Sequence, residues 1–263
     1  MATEGLRLGS MLFTMVEPTR GYEREYNQWY ERDHFYAGCL IGPYCFAGGR
    51  WVATRDMKAL RFPDDSPIAA SRDVGSLLSL YYILDGHRQE WRTWAAEQVF
   101  RLNEQGRMYP HREHVHTLHY IHQWNVQREP DGVPAEIALD HRFPGLAVVF
   151  GERSEGTSSA QIEQWYRETA LPEMLPGSPA ALCVAFEGEA SMPSTPSKVP
   201  AVSGVERRFL LVFFLDTDPR ECWDSTFVPH AKALEVSGLG KVVYASPFIP
   251  TVPGTDTHLD DLW

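Results

Sequence analysis

The chain has 263 residues and carries 24 Lys or Arg against 35 Asp or Glu, a formal net charge of −11. Binding of nucleic acid or of an anionic membrane surface requires a basic patch, so this charge balance argues against both classes of partner. No stretch reaches the roughly 18 consecutive apolar residues that a membrane span needs, and residues 1–5 do not resemble the start of a secretory signal. Four scattered cysteines without a Cys-x-x-Cys pair are typical of reduced thiols, and we therefore expect a cytoplasmic protein.

The first half of the chain predicts the element order βαββαβ. Short β-branched and aromatic runs bounded by Gly, Pro and Asp indicate the strands, and apolar residues at 3.6-residue spacing, such as Tyr22, Tyr26 and Tyr30, indicate the helices. The predicted elements are a strand at 11–17, a helix at 21–37, a strand at 44–53, a long loop at 54–75, a strand at 76–85, a helix at 87–105 and a strand at 114–126.

A polar segment rich in turn-forming residues, 128–134, then marks a boundary. We predict one repeat over 1–130 and a second over 131–263. The predicted elements of the second half are a strand at 146–150, a helix at 158–171, a strand at 179–187, a Pro-rich loop at 188–206, a strand at 207–216, a helix at 219–237 and a strand at 241–249.

A short motif recurs in the two halves. Gln28-Trp29-Tyr30 returns as Gln164-Trp165-Tyr166, an offset of 136 residues (164 − 28). The run 80–85 resembles the run 211–216 at an offset of 131 (216 − 85), and the change in offset falls where loops tolerate deletion. We interpret the pattern as an internal duplication.

Each βαββαβ unit is predicted to form a ferredoxin-like split βαβ arrangement, with an antiparallel sheet and both helices on one face. The other face of each sheet needs cover, and the second repeat is the simplest cover. We therefore predict an α+β protein of two fused ferredoxin-like repeats whose sheets pack into a barrel. The barrel interior would be the default ligand cavity.

Gln28-Trp29-Tyr30, followed by His34 and Gly42-Pro43, resembles the dimeric α+β barrel superfamily in a fused, tandem-duplicated form, and within it the EthD-like proteins. The superfamily includes isomerases, cyclases, dehydratases and other lyases of aromatic or polyketide metabolism, cofactor-free monooxygenases and haem enzymes. Fold alone therefore does not choose a reaction. The second copy has Ala170 where the first has His34, so the resemblance implies a working site in the first half only.

Histidine dominates the candidate catalytic residues, because a neutral imidazole can transfer a proton in either direction near pH 7. His34 lies four residues after Tyr30, which places both side chains on one face of the predicted helix. A capping or surface position for His34 is the alternative.

The predicted strand at 114–126 is also rich in histidine. Strict alternation places His114, His116 and His122 on one face, and His114 and His116 would then lie close enough to reach one metal ion or one substrate. A tetrahedral metal site needs a third ligand, which the sequence does not identify among His34, Glu25 and His122.

Aromatic residues on the elements that flank the predicted interior could enclose a flat apolar molecule, although an ordinary aromatic core is an equally good interpretation of each one. The predicted substrate-binding residues are Tyr81, Trp91, Tyr120, Trp124 and Phe213.

The sequence thus leads us to predict a cofactor-independent lyase or isomerase with no bound metal, acting on a small aromatic or polycyclic metabolite. Its predicted catalytic residues are His34, His116, Tyr30 and His114. One alternative is a monooxygenase or a metal- or haem-dependent enzyme of aromatic catabolism, and another is a non-catalytic small-molecule-binding protein. We expect neither nucleic acid nor membrane as partner, and homodimer formation is open.

Overall fold

The computed structural model describes residues 5–189 and 199–263. Within them, eight strands close into a single barrel in the order β1-β3-β2-β8-β5-β7-β6-β4, and all neighbouring strands are antiparallel. The strands are β1 Leu8–Pro18, β2 Cys45–Val52, β3 Leu77–Leu84, β4 Arg112–Gln127, β5 Gly145–Arg153, β6 Ala180–Gly188, β7 Arg208–Leu215 and β8 Gly240–Pro250.

Helices connect the strands, and several of them contain π-helical turns. The α-helices are α1 Glu23–Trp29, α2 Arg55–Ala59, α3 Arg88–Glu104, α4 Ser159–Trp165, α5 Leu171–Met174 and α6 Val228–Val236. The π-helical segments are Tyr30–Leu40, Tyr166–Ala170 and Trp223–Phe227. None of the helices in the described part of the chain is long and apolar enough to cross a membrane.

The two halves have the same strand order, β4-β1-β3-β2 in the first and β8-β5-β7-β6 in the second. This order confirms the predicted α+β fold of two fused ferredoxin-like repeats. The halves meet at two unequal seams: β4 pairs with β6 over residues 120–127, whereas β2 and β8 pair only at Trp51 with Pro250 and at Val52 with Ile249.

The middle of the barrel is packed with side chains, contrary to our expectation of a ligand cavity there. The ring of Phe13 lies 5.6 Å from that of Phe150, which in turn lies 6.0 Å from Tyr244 and 6.1 Å from Tyr120. Alternate side chains of strongly twisted strands meet at this centre, and large residues fill the interior of an eight-stranded barrel.

The sequence match between 80–85 and 211–216 is out of register by one residue. Leu80 pairs with Phe13 and faces the barrel interior, whereas Leu211 pairs with Val149 and packs on the helix side of the second sheet. Leu210 faces inward and is the structural counterpart of Leu80. Because side chains alternate along a strand, a slip of one residue exchanges the two faces.

The segment at 251–263 docks on α1. Arg24 forms an ion pair with Asp260 at 2.6 Å, and Asn27 donates a hydrogen bond to the Thr255 carbonyl oxygen at 3.0 Å. The indole of Trp263 donates to Glu23. These contacts hold the helix that leads into the π-helical segment Tyr30–Leu40. Within the predicted loop 188–206, the Pro-rich stretch 192–200 was expected to be exposed, and its residues 192–198 lie outside the described residues.

Candidate functional site

A β-bulge near the start of β4 decides which histidines share a face. Met15 of β1 pairs with His116 and the next residue, Val16, pairs with His114, so Val115 has no partner of its own. The extra residue shifts the alternation of side chains. His114 and His116, which we predicted on one face, therefore lie on opposite faces of the sheet and cannot hold one metal ion together.

His116 faces the barrel interior. Its Nε2 lies 2.6 Å from the Tyr120 hydroxyl, and its ring contacts Phe13 and Phe150 at centroid distances of 5.7 and 5.1 Å. Burial lowers the pKa of His116 to about 3, which keeps the ring neutral. His116 and Tyr120 thus form a hydrogen-bonded pair in the core and do not border the cavity described next.

A cavity of about 100 Å³ lies on the outer face of the first sheet, beneath the helices. Its floor is formed by β1 and β4, and its roof by the π-helical segment and α3. The polar lining residues are Thr14, Tyr30, His34, Arg92, Arg112, His114, Thr117 and His119, and the others include Leu12, Val16, Trp91, Ala95, Ala96 and Val99.

His34 lies in the roof of this cavity. Its ring stacks on Trp29 at a centroid distance of 4.5 Å and meets Tyr30 edge-on at 5.4 Å. A side chain at Gly38 would place its Cβ 2.7 Å from Cε1 of His34, so the imidazole occupies the space that the glycine leaves. π-Helical turns are rare and are often found at functional sites.

Tyr30 lies deeper in the same roof. Its hydroxyl is 2.9 Å from that of Tyr81, and burial raises the pKa of Tyr30 to about 12. Tyr81, a predicted substrate-binding residue, therefore hydrogen-bonds to Tyr30 and does not line the cavity.

Three of the imidazoles that line this cavity each have one buried ring nitrogen without a hydrogen-bond partner. These atoms are Nδ1 of His34, Nε2 of His114 and Nδ1 of His119. Burial is the main cause that lowers the pKa of His34 and His119 to about 3 and that of His114 to about 4. The positive charge of Arg112 lowers the pKa of His34 and His114 further, and that of Arg92 lowers the pKa of His119. All three rings are consequently neutral at pH 7.

The other nitrogen of His114 is fixed by a short hydrogen-bonded chain. Nδ1 lies 2.8 Å from Oγ1 of Thr117, which lies 2.9 Å from Oγ1 of Thr14 on β1. The chain sets the orientation of the ring, and a Nδ1–H that donates to Thr117 leaves the lone pair on Nε2, the nitrogen without a partner.

The remaining predicted substrate-binding residues divide between the two halves. Trp91 lines the cavity, donates a hydrogen bond to the Cys39 carbonyl oxygen at 3.3 Å and lies 5.1 Å from the ring of His119. Trp124 and Phe213 pack instead under the helices of the second half, where Trp124 contacts Tyr166 and Phe213 contacts His230. Both belong to the second apolar cluster.

Sequence reasoning missed His119, Arg92 and Arg112. His119 was missed because of the β-bulge: strict alternation without a bulge places His119 on the face opposite to His114. The only sequence signal for the two arginines is their position, one at the start of β4 and one on α3 beside Trp91. Neither carries a motif.

The described ranges 5–189 and 199–263 contain no group of three or more His, Cys, Asp or Glu residues placed to hold a metal ion. All four cysteines are free, and Cys39, Cys183 and Cys222 are buried.

Fold and site together define a fused, ferredoxin-like α+β barrel protein with a polar, histidine-lined cavity under the helices of its first half. No protein-family profile and no curated protein matches this sequence. Solved structures do match over nearly the whole chain. An anthrone oxidase-like protein has a TM-score of 0.54 and 8% identity, covering 94% of this chain and 92% of its own. A protein provisionally assigned as a chlorite dismutase has a TM-score of 0.55 and 9% identity, covering 94% and 97%.

A third similar structure, provisionally assigned as a monooxygenase from Lactobacillus acidophilus NCFM, has a TM-score of 0.45 and 9% identity, covering 92% of this chain and 94% of its own. At 8–9% identity, the likeness to the two structures with TM-scores above 0.5 establishes the fold alone, a fused ferredoxin-like α+β barrel. The names of the matching structures contradict our prediction of a cofactor-independent lyase or isomerase. They agree better with the alternative, an oxygenase or haem-dependent enzyme.

Proposed function

We propose that this protein is an oxygenase that oxidises an electron-rich aromatic compound in the cavity under the helices of its first half. The observation that carries the proposal is that three imidazoles lining one cavity each have a buried ring nitrogen without a hydrogen-bond partner. A buried polar atom without a partner costs about 1–3 kcal/mol, so these nitrogens favour a ligand that supplies hydrogen-bonding groups.

The size of the cavity fits one aromatic ring. A volume of about 100 Å³ is of the same order as the roughly 150 Å³ apolar cavity that is known to accept benzene. Leu12, Ala95 and Val99 supply apolar contacts, and Trp91 supplies an aromatic face. A polycyclic substrate would place one ring here and the rest toward the solvent.

A haem does not fit the same space. Pockets for drug-sized ligands usually measure about 300–1,000 Å³, several times the volume found here, and a tetrapyrrole would require β1 and β4 to separate from the helices above them. We therefore derive no step through a haem.

His114 is the base in this proposal, and because burial lowers its pKa to about 4, it deprotonates only a substrate whose anion the site stabilises. The neutral ring can accept a proton from an acidic C–H or O–H of the substrate at Nε2, while Thr117 holds Nδ1. Arg112 stabilises the negative charge that develops on the substrate oxygen, and His34 and His119 can donate hydrogen bonds to other oxygens.

The resulting electron-rich anion can react with O₂ without an added reductant. For an activated methylene group the balance is R₂CH₂ + O₂ → R₂C=O + H₂O. The substrate supplies all four electrons, one oxygen atom is retained in the new carbonyl group, and the other leaves as water with the two hydrogens. The name of the anthrone oxidase-like structure is consistent with this class of reaction.

Oxygen uptake tests the proposal. Purified protein is mixed with a panel of activated phenols and anthrone-type methylene compounds in an oxygen electrode, with no cofactor added. We expect protein-dependent oxygen consumption that falls by about 10² or more in His114→Gln, while the surface variant His141→Gln keeps the original rate. Consumption that is equal in both variants would overturn the assignment of the site.

We also propose that the halves arose by duplication, with the boundary near residue 130, and that the protein is EthD-like. The repeated strand order supports the duplication, as does the recurrence of Gln-Trp-Tyr where α1 and α4 each continue into a π-helical segment. Only the first copy carries a histidine, His34, at a position that is Ala170 in the second. The site would thus be single in each chain.

A further inference from the structure

We propose that the cavity binds its ligand as an anion, with a carboxylate or phenolate oxygen held by Arg112. The inference deepens the proposed function by naming the charge of the substrate. Its test uses binding alone and does not depend on turnover.

Arg112 is a cation without a carboxylate partner. Its guanidinium group lies over the ring of Trp29 at 4.8 Å and donates a hydrogen bond to the Tyr109 carbonyl oxygen. No Asp or Glu of the described chain forms an ion pair with it. A guanidinium group has five N–H donors, so most of its donors are left for a ligand or solvent.

Two acids of the neighbouring elements, Asp33 and Glu25, have other partners. Asp33 forms an ion pair with Arg107, and Glu25 accepts a hydrogen bond from the Tyr109 hydroxyl at 3.0 Å. Arg92, the other cation in the cavity lining, already pairs with Glu189 at 2.6 Å. Among residues 5–189 and 199–263, the lining contains no carboxylate. A bound anion is therefore the group that would balance Arg112.

The rest of the cavity matches an aromatic ring that carries the anionic oxygen. Leu12, Val16 and Val99 form apolar walls. His34 and His114 lie near Arg112 and are neutral, so they do not compete with its positive charge for a bound anion. Guanidinium groups bind carboxylates in a planar, bidentate geometry and also favour single oxyanions. Aromatic carboxylates and phenolates share this chemistry.

Equilibrium binding distinguishes an anion from its neutral isostere. Benzoate and benzamide have nearly the same shape, and their binding can be followed by the fluorescence of Trp29 and Trp91. We expect benzoate to bind at least tenfold more tightly than benzamide, and Arg112→Gln to abolish the preference. Arg112→Lys, which keeps the charge, should retain part of it even if the Gln variant folds poorly.

Arg101→Gln is the matched control, because it removes an exposed arginine from α3 with the same change in net charge. Benzoate preference that persists in Arg112→Gln overturns the proposal, as does equal affinity for the two compounds or no binding of benzoate at millimolar concentration. An Arg112-dependent preference without oxygen uptake would support anion binding and reject the oxygenase.

A coloured probe, 4-nitrophenol, shows whether the cavity binds phenolates as well as carboxylates. 4-Nitrophenol absorbs differently as the phenol and the phenolate, so a protein that binds the anion increases the phenolate band at constant pH. An increase that disappears in Arg112→Gln assigns phenolate binding to the cavity. Benzoate preference without this increase restricts the ligands to carboxylates.

Discussion

At the residue scale, the cavity is defined by imidazoles that burial keeps neutral. His114 combines a fixed Nδ1 with a free Nε2, whereas His116, two residues later, has its Nε2 satisfied by Tyr120. The two residues have the same side chain on the same strand. Only the first lines the cavity, which is why we propose it as the base.

This difference predicts the outcome of a matched pair of substitutions. His114→Gln should reduce turnover by about 10² or more, because it removes the proposed base. His116→Gln should lower the free energy of unfolding by about 1–3 kcal/mol, because it breaks the buried hydrogen bond to Tyr120, and it should leave turnover per folded molecule nearly unchanged. Steady-state rates and urea unfolding measure both effects. A turnover rate that falls in His116→Gln but not in His114→Gln would place the chemistry inside the barrel.

At the element scale, two irregularities shape the site: the bulge in β4 and the π-helical continuation of α1. In the π-helical segment the ring of His34 lies directly against Gly38. An added methyl group at Gly38 would collide with the imidazole.

Gly38→Ala should therefore displace His34 and cost about 1–3 kcal/mol of stability through overpacking. The same substitution in a His34→Ala background should cost much less, because the colliding ring is absent. A double-mutant cycle of unfolding free energies measures this coupling. Equal costs in the two backgrounds would show that the ring does not depend on Gly38.

The docked segment at 251–263 also stabilises the π-helical segment with His34, because it packs on α1, which leads into it. Leu262 is fully buried, and Trp263 lies beneath the ammonium group of Lys58 at 4.9 Å. Leu262→Ala should destabilise the protein by about 2–5 kcal/mol. We expect benzoate affinity to fall in the same variant, since α1 leads directly to His34. Val252→Ala, at an exposed position of the segment, is the control for both measurements.

At the scale of the whole molecule, the buried histidines link stability to pH. Burial lowers the pKa of His116 and His119 to about 3 and that of His230 to about 4, below the unfolded value of about 6.5. Between these limits the unfolded chain binds more protons than the folded one. Stability is therefore fully present above about pH 6.5 and falls as the pH falls toward 4.

Each such histidine should steepen the decline by up to about 1.4 kcal/mol per pH unit. Urea unfolding at several pH values between about 4.5 and 7 measures the slope. His119→Gln should make it shallower, and His141→Gln, at an exposed position, should leave it as it was. If the pH dependence of the unfolding free energy is the same in His119→Gln as in the original protein, this ring is protonated in the folded protein.

The barrel closes unequally, and local opening should reflect this. The β2–β8 seam has only two paired positions, at Trp51 and Val52, whereas the β4–β6 seam is long. Regions with few backbone hydrogen bonds open at lower free energy. Hydrogen exchange should therefore be faster for the β2 amides at this seam than for the β4 amides opposite β6, and equal protection would contradict a weak seam.

Local patterns in the sequence determined much of this fold. Runs of apolar residues and turn formers placed all eight strands to within a few residues, and the repeated order predicted two ferredoxin-like halves in one barrel. His34, Tyr30, His114 and Trp91 were also identified from residue type and spacing, and all four line the cavity.

Tertiary structure alone decided where the cavity lies and which residues share it. The bulge at Val115 depends on the pairing of β4 with β1, which strict alternation cannot anticipate, and it separated His114 from His116 and joined it to His119. Packing of Phe13, Phe150 and Tyr244 filled the barrel and moved the cavity beneath the helices. Arg112 became a candidate only when the acids around it proved to be paired elsewhere. Register, packing and charge pairing all arise between distant segments, and a local sequence pattern does not contain them.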